Sequence, residues 1–223
     1  MELRHSCKTV VWLKEGAYRI MQTLIFATGN QDKMKEIRMI LGGTDTEILS
    51  MKEAGIALDV EENGTSFEEN ALIKARAVAE RARTRFKDAV VLADDSGLEI
   101  DYLGGEPGIY SARYMGEDTS YRVKNQNLID RLSGVPDEQR TARFVCAIAA
   151  VLPNGECLLT RGVMEGRIGY AESGENGFGY DPIFILPKYG CTTSDLPPEV
   201  KNEESHRGKA LRAMREKLRG VFA

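Results

Sequence analysis

The stretch "AVVLADDSGLEID", Ala89 to Asp101, decides how this chain is read, because an apolar run that looks like a buried strand leads straight into Asp94 and Asp95. Adjacent carboxylates at a strand end repel each other unless a cation, a proton or solvent separates them. The segment is therefore either a solvated turn with an Asp cap or the acidic part of a site. Mg2+ suits the second reading, since it takes one or two carboxylates together with substrate phosphates. Glu61 and Glu62 lie upstream as candidate partners, although most such pairs are simply exposed charge.

Outward from this strand, the pattern alternates between β-formers and helical periodicity. "QTLIFATGN" reads as a strand ending in Thr28-Gly29-Asn30, with Asn30 as the N-cap of a helix whose face carries Met34, Ile37, Ile40 and Leu41 and which Gly42-Gly43 ends. In "TSFEENALIKARAVAERAR", Ser66 and Glu69 stand at capping-box spacing and Leu72, Ala75, Val78, Ala79 and Ala82 form one stripe. "TARFVCAIAAVLPNGECLLTRGVMEG" predicts a long hairpin, its two β-rich runs joined through a type I′ turn at Asn154-Gly155. "SHRGKALRAMREKLRG" closes the chain as a basic helix. This order predicts an α/β fold built on a mixed, twisted sheet flanked by helices.

Composition narrows the function. The chain has 223 residues, 42% of them hydrophobic, enough to bury one sizeable core, and a net charge of −4 that argues against broad contact with a nucleic-acid backbone. Its cysteines, Cys7, Cys146, Cys157 and Cys191, are scattered without metal-ligand spacing, which fits a reducing cytoplasm. No apolar run approaches the roughly 20 residues of a membrane span. Met21 stands one residue before the first convincing strand, and Lys14-Glu15-Gly16 would spell a ribosome-binding sequence if encoded AAG-GAG-G. Residues 1–20 therefore read either as a translated leader preceding a single domain at 21–223 or as a genuine extension.

Four segments can carry chemistry. "ATGNQDK" ends a strand and opens a helix, with backbone N–H groups and Lys33 suited to phosphate, or else it is an ordinary capped turn. Asp94-Asp95-Ser96-Gly97 is the acidic candidate. In "GENGFGYDP", Phe178 or Tyr180 can stack on a planar ring and Asp181 can accept a ring N–H, though a plain aromatic-glycine loop has the same composition. Lys201 precedes His206 and Arg207 at the start of the last helix. A Ser-His-Asp hydrolase is excluded by the presence of only His5 and His206 and the lack of Gly-x-Ser-x-Gly. A non-catalytic nucleotide sensor would keep the glycine loops and lysines but has no need of the acidic pair.

In this order, "TGNQDK", "TSFEENALIKA", "DDSGLEIDYLGGEPGIYSARY", "GFGYDPIF" and Lys201 with "HRG" resemble the inosine/xanthosine triphosphate pyrophosphatases from Gln22 to about Leu218. The resemblance implies two lobes with the active site in the cleft between them, Mg2+ as cofactor and a homodimer. It implies that Thr28, Gly29, Asn30, Gln31, Asp32 and Lys33 hold the triphosphate with Lys74, and that Asp95 is general base and metal ligand. Ser96 touches substrate; Glu61, favoured over Glu62, and Asp94 serve the metal. Phe178, Gly179, Tyr180 and Asp181, with Lys201, His206 and Arg207, read the base. A 6-oxopurine offers an N1–H to Asp181 and an O6 to Arg207, whereas adenine leaves both buried groups unpaired.

Overall fold

The computed structural model describes residues 10–12, 18–20, 22–42 and 46–222. Met21, the candidate start, and most of the candidate leader lie outside the described residues. Two short strands, β1 (Val10–Trp12) and β2 (Tyr18–Ile20), pair antiparallel. The main sheet is seven-stranded in the order β4-β3-β5-β6-β7-β8-β9. Its strands are β3 (Gln22–Phe26), β4 (Thr46–Ser50), β5 (Val90–Ile100), β6 (Thr141–Val151), β7 (Cys157–Ile168), β8 (Phe184–Leu186) and β9 (Cys191–Thr192). β3 runs parallel to β4 and β5, and all later pairings are antiparallel, so the sheet is mixed as its sequence predicts.

Side chains alternate across β5 and sort into two cores. Val91 and Ala93 face helix α2 (Phe67–Ala82), joined there by Ala71, Ala75, Val78, Ala79 and Ala82. Val90 and Leu92 face the other way, toward Met34, Ile37 and Leu41 of α1 (Gln31–Leu41) and Ala210, Leu211 and Met214 of α5 (His206–Phe222). A third core gathers the far ends of the long strands, through Leu98, Ile100, Phe144 and Met164, with Leu128 of α3 (Tyr121–Arg131) and Leu132 at its C-cap. β5 thus does not stop at the aspartates: it continues to Ile100, paired residue for residue with β6, and carries Asp94 and Asp95 at mid-strand between the cores.

The helix starts follow their caps. Asn30 Oδ1 accepts from the amides of Asp32 and Lys33 at 2.9 and 3.0 Å. Ser66 Oγ accepts from Glu69 N at 3.2 Å, while the Glu69 carboxylate reaches one residue further out, accepting from Thr65 N at 2.7 Å. The β6–β7 hairpin forms as predicted, but its turn differs. Pro153 fixes a turn in which Gly155 N donates to Leu152 O at 2.9 Å and Leu152 N to Glu156 O at 2.9 Å, with Gly155 at φ +89° as the bulge residue. A type I′ turn needs positive φ at both central residues; Asn154 does not adopt it, and Pro153 favours type I. No helix among the described residues is long and apolar enough to cross a membrane.

The short helix α4 (Pro198–Glu204) leads into α5, whose first turn rests against β7 at Gly162. A Cβ there would lie 2.1 Å from His206 O, so only glycine lets the helix start approach the strand. Gly162→Ala is expected to cost about 3 kcal/mol by overpacking and to displace His206 and Arg207. Urea unfolding checks the stability, and unchanged unfolding would show that the helix start shifts freely.

Candidate active site

Where the three cores meet, a cavity of about 860 Å³ opens, lined by Thr28, Gly29, Asn30 and Lys33 at one wall and by Phe178, Gly179, Tyr180 and Asp181 at another. Lys74, Asp95, Ser96, Lys201, His206 and Arg207 also reach it. Of the residues expected to hold the triphosphate, two do not. Gln31 and Asp32 are exposed, and Asp32 pairs with Lys35 at 3.1 Å, because the first helical turn points them outward.

The two aspartates separate by pleat. Asp94, 1% exposed, lies on the α1/α5 face, where Lys33 Nζ approaches Oδ2 at 2.9 Å and Arg207 Nη2 at 3.3 Å. Burial alone would raise its pKa, but Lys33, Arg207 and Lys74 together overcome that and hold it well below the usual carboxylate range. Asp95 lies on the α2 face, accepting from Asn70 Nδ2 at 3.1 Å and from Ser96 N at 3.0 Å. Burial pushes its carboxyl up to about 6; Lys74 works against that rise and Glu62 adds to it.

These positions bear on the expected metal ligands. Val60 and Glu62 are half-buried and line the cavity, whereas Glu61 between them is exposed and does not line it. Asp94 is engaged by Lys33 and Arg207 on the opposite face from Asp95. What remains is the pair Asp95 and Glu62, hard oxygen donors near enough for the charge of Glu62 to raise the Asp95 pKa. Among the described residues no group of three His, Cys, Asp or Glu is gathered to hold a metal. Two carboxylates fit Mg2+, which draws its other ligands from phosphates and water.

A residue with no signal in the sequence links the rest. Glu36 of α1, half-buried, receives Lys201 Nζ at 2.9 Å through Oε1 and Arg207 Nη1 through Oε2. Lys201 also donates to Asp181 Oδ2 at 2.6 Å. Asp181, Lys201, Glu36, Arg207, Asp94 and Lys33 thereby form an unbroken series of alternating charges. Lys74 stands on the other face, donating to Asp94 O at 3.0 Å and pairing with Glu62 at 2.9 Å.

At the glycine loop the aromatic roles divide. Tyr180 is buried in the third core with its hydroxyl donating to Ser111 O at 2.7 Å, so it is a packing residue and not a stacking platform. Phe178 keeps a half-buried ring at the cavity, 5.1 Å from Lys201 Nζ and 5.7 Å from the Arg207 guanidinium. Asp181 Oδ2 accepts from Phe178 N and Lys201, and Oδ1 from Thr193 Oγ1 at 2.9 Å, leaving one lone pair on Oδ1. His206 stacks on Phe144 with ring centroids 4.9 Å apart, and its Nδ1 is buried without a protein partner. Burial and the nearby Arg207 and Lys201 hold its pKa well below 6.5, so the imidazole is neutral.

A model of the Ham1 family matches residues 24–217. The chain is similar to a dITP/XTP pyrophosphatase of Clostridium perfringens, 45% identical over 203 residues that cover 91% of this chain and 100% of that one. It is likewise similar to a dITP/XTP pyrophosphatase of Bacillus subtilis, 44% identical over 195 residues, covering 87% and 96%. Among solved structures, the Ham1 protein of Staphylococcus aureus superposes with a TM-score of 0.78 at 39% identity, covering 90% of this chain and 100% of that one.

The neighbouring aspartates give opposite expectations for stability. Asp94→Asn removes the partner of two buried cations and is expected to cost about 3–5 kcal/mol. Asp95 has a folded pKa above its unfolded value, so it contributes stability only while protonated, and that contribution is lost as the pH rises from about 4 through 6. Asp95→Asn is therefore expected to raise metal-free stability at pH 7 by about 1–3 kcal/mol and to flatten that pH dependence. Thermal unfolding of both variants from pH 4 to 8 checks the pair, and parallel losses at pH 7 would overturn the division of roles.

Proposed function

Because the chain belongs to the Ham1 family, we propose that it hydrolyses the non-standard purine nucleoside triphosphates ITP, dITP and XTP to the monophosphate and pyrophosphate. Such an enzyme clears these nucleotides before they enter DNA or RNA. The observation that carries this reading is Asp95: a cavity-facing carboxyl with its pKa at about 6, beside Glu62 and Lys74. A general base works best with a pKa near the working pH.

Asp95 orients a water molecule toward the α-phosphorus and takes its proton as the new P–O bond forms. The bond from the α-phosphorus to the bridging oxygen breaks, and pyrophosphate leaves with the electron pair. Mg2+ held by Asp95 and Glu62 would neutralise charge on the triphosphate. Lys33 and Lys74 offer ammonium donors to phosphate oxygens, and Thr28, Gly29 and Asn30 shape the wall on which the chain of phosphates lies.

At the other end, Phe178 covers the purine face. The free lone pair of Asp181 accepts from N1–H, Arg207 donates toward O6, and His206 Nδ1 adds a neutral polar contact. Adenine, with the reverse pattern, leaves buried groups unsatisfied and is rejected. The protein works in the cytoplasm as a homodimer, for which Tyr102 and Tyr110, 53% and 57% exposed, supply an apolar face.

Incubation with ITP, XTP, dITP, GTP and ATP, with pyrophosphate and orthophosphate assayed separately, tests the reading. Metal-dependent pyrophosphate from the first three is expected, with little from ATP, and a loss of about 10²-fold or more in turnover for Asp95→Asn. Orthophosphate as product would move the attack to the γ-phosphorus, and tight binding without product would make the protein a sensor.

A further inference from the structure

Four cations lining the cavity are neutralised by the protein itself. Lys33 has Asp94 at 2.9 Å, Lys74 has Glu62 at 2.9 Å, Lys201 has Asp181 at 2.6 Å, and Arg207 has Asp94 at 3.3 Å together with Glu36. Arg113 lines the same cavity and is half-buried, yet among the described residues it has no carboxylate at ion-pair distance. Lys52, the other lining cation of this kind, sits exposed on a turn.

Arg113 is nevertheless held in place. Its Nη2 donates to Glu62 O at 3.3 Å, and the guanidinium lies over the Tyr110 ring, 4.9 Å from the centroid. These contacts use one of five N–H donors and fix the plane of the group. The anchor is the backbone of Glu62, so the charge stands on the acidic side of the site, beside Lys74 and Asp95, away from the Lys201–Asp181 pair at the base loop.

A half-buried cation without a counter-charge, plane fixed and donors free, is suited to a phosphate, which guanidinium binds through two parallel hydrogen bonds. We propose that Arg113 is a substrate-binding residue that grips the β- and γ-phosphates from a different wall of the cavity than Lys33. This deepens the pyrophosphatase reading and rests on it for the identity of the substrate. The paired cations must share themselves between a carboxylate and the incoming phosphates, whereas Arg113 adds its charge in full.

Arg113→Gln tests this, because glutamine keeps an N–H for Glu62 O while losing the charge. The full chain is titrated with inorganic tripolyphosphate by calorimetry, and KM and kcat for dITP are measured alongside inhibition by dIMP. Loss of a charged hydrogen bond predicts tripolyphosphate affinity weaker by about 10-fold or more and a matching rise in the dITP KM. Inhibition by dIMP stays at the wild-type value, and Arg113→Lys recovers part of the loss. Unchanged tripolyphosphate binding, or an equal weakening of dIMP, would overturn the assignment, the latter by showing a structural role. If wild-type protein releases no pyrophosphate from dITP while Arg113→Gln still loses tripolyphosphate, the functional reading fails and the anion site stands.

Discussion

A strand sends successive side chains to opposite faces of its sheet, and the chemistry of this site follows from where β5 carries two aspartates. Asp94 goes with Val90 and Leu92 toward α1 and α5, into the company of Lys33 and Arg207. Asp95 goes with Val91 and Ala93 toward α2, where its hydrogen-bond donors, Asn70 and the Ser96 amide, are neutral. One carboxyl is fixed as an anion and the other is left near 6. Like charges that look frustrated in sequence are separated by the sheet, and the separation gives one strand both a paired anion and the carboxyl that serves as base in the proposed reaction.

The alternating series from Asp181 to Lys33 ties together the glycine loop, α4, α1, α5 and β5. Burying so many ions costs desolvation that their mutual attraction roughly offsets, so such a network fixes an arrangement more than it adds net stability. Its geometry spans the cavity: Asp181 sits in the glycine loop at one end, and Lys33 in the first turn of α1 at the other. Glu36 joins α1 to α4 and α5, its partners lying 165 and 171 residues away in sequence. A shift of α5 therefore disturbs both ends of the series together.

The fold was legible where local pattern suffices. The Asn30 cap, the α2 stripe, the β6–β7 hairpin and the final helix each rest on neighbours in sequence, and each forms. The adjacency of the acidic pair was legible but not its division between two faces of the sheet, because the apolar run before it gives no sign that β5 continues to Ile100. The alternation of Ile56, Leu58 and Val60 puts residue 62 in phase with the half-buried side, a local signal that separates Glu62 from exposed Glu61. Tyr180 and Phe178 look alike in sequence, and only the packing of Tyr180 against the third core tells them apart. Glu36 lies between exposed Lys35 and buried Ile37 on a helix with many charges; its partners come from α4 and α5, so nothing local marks it.

The pairing of Lys33 with Asp94 bears on how a polyanion enters. A free lysine carries about 2 kcal/mol of rotamer entropy, lost when a ligand fixes it. Asp94 holds the ammonium in place beforehand and uses one of its three donors, leaving others for phosphate. Three acids and three bases in the series sum to no net charge, and the chain as a whole carries −4, so the site does not draw in a bare triphosphate from a distance. In the proposed reaction it instead presents ordered donors to a ligand whose charge is already reduced by a divalent cation. A near-neutral cavity would thus match the metal-complexed substrate of the proposed reaction, with binding a matter of geometry once the complex is inside.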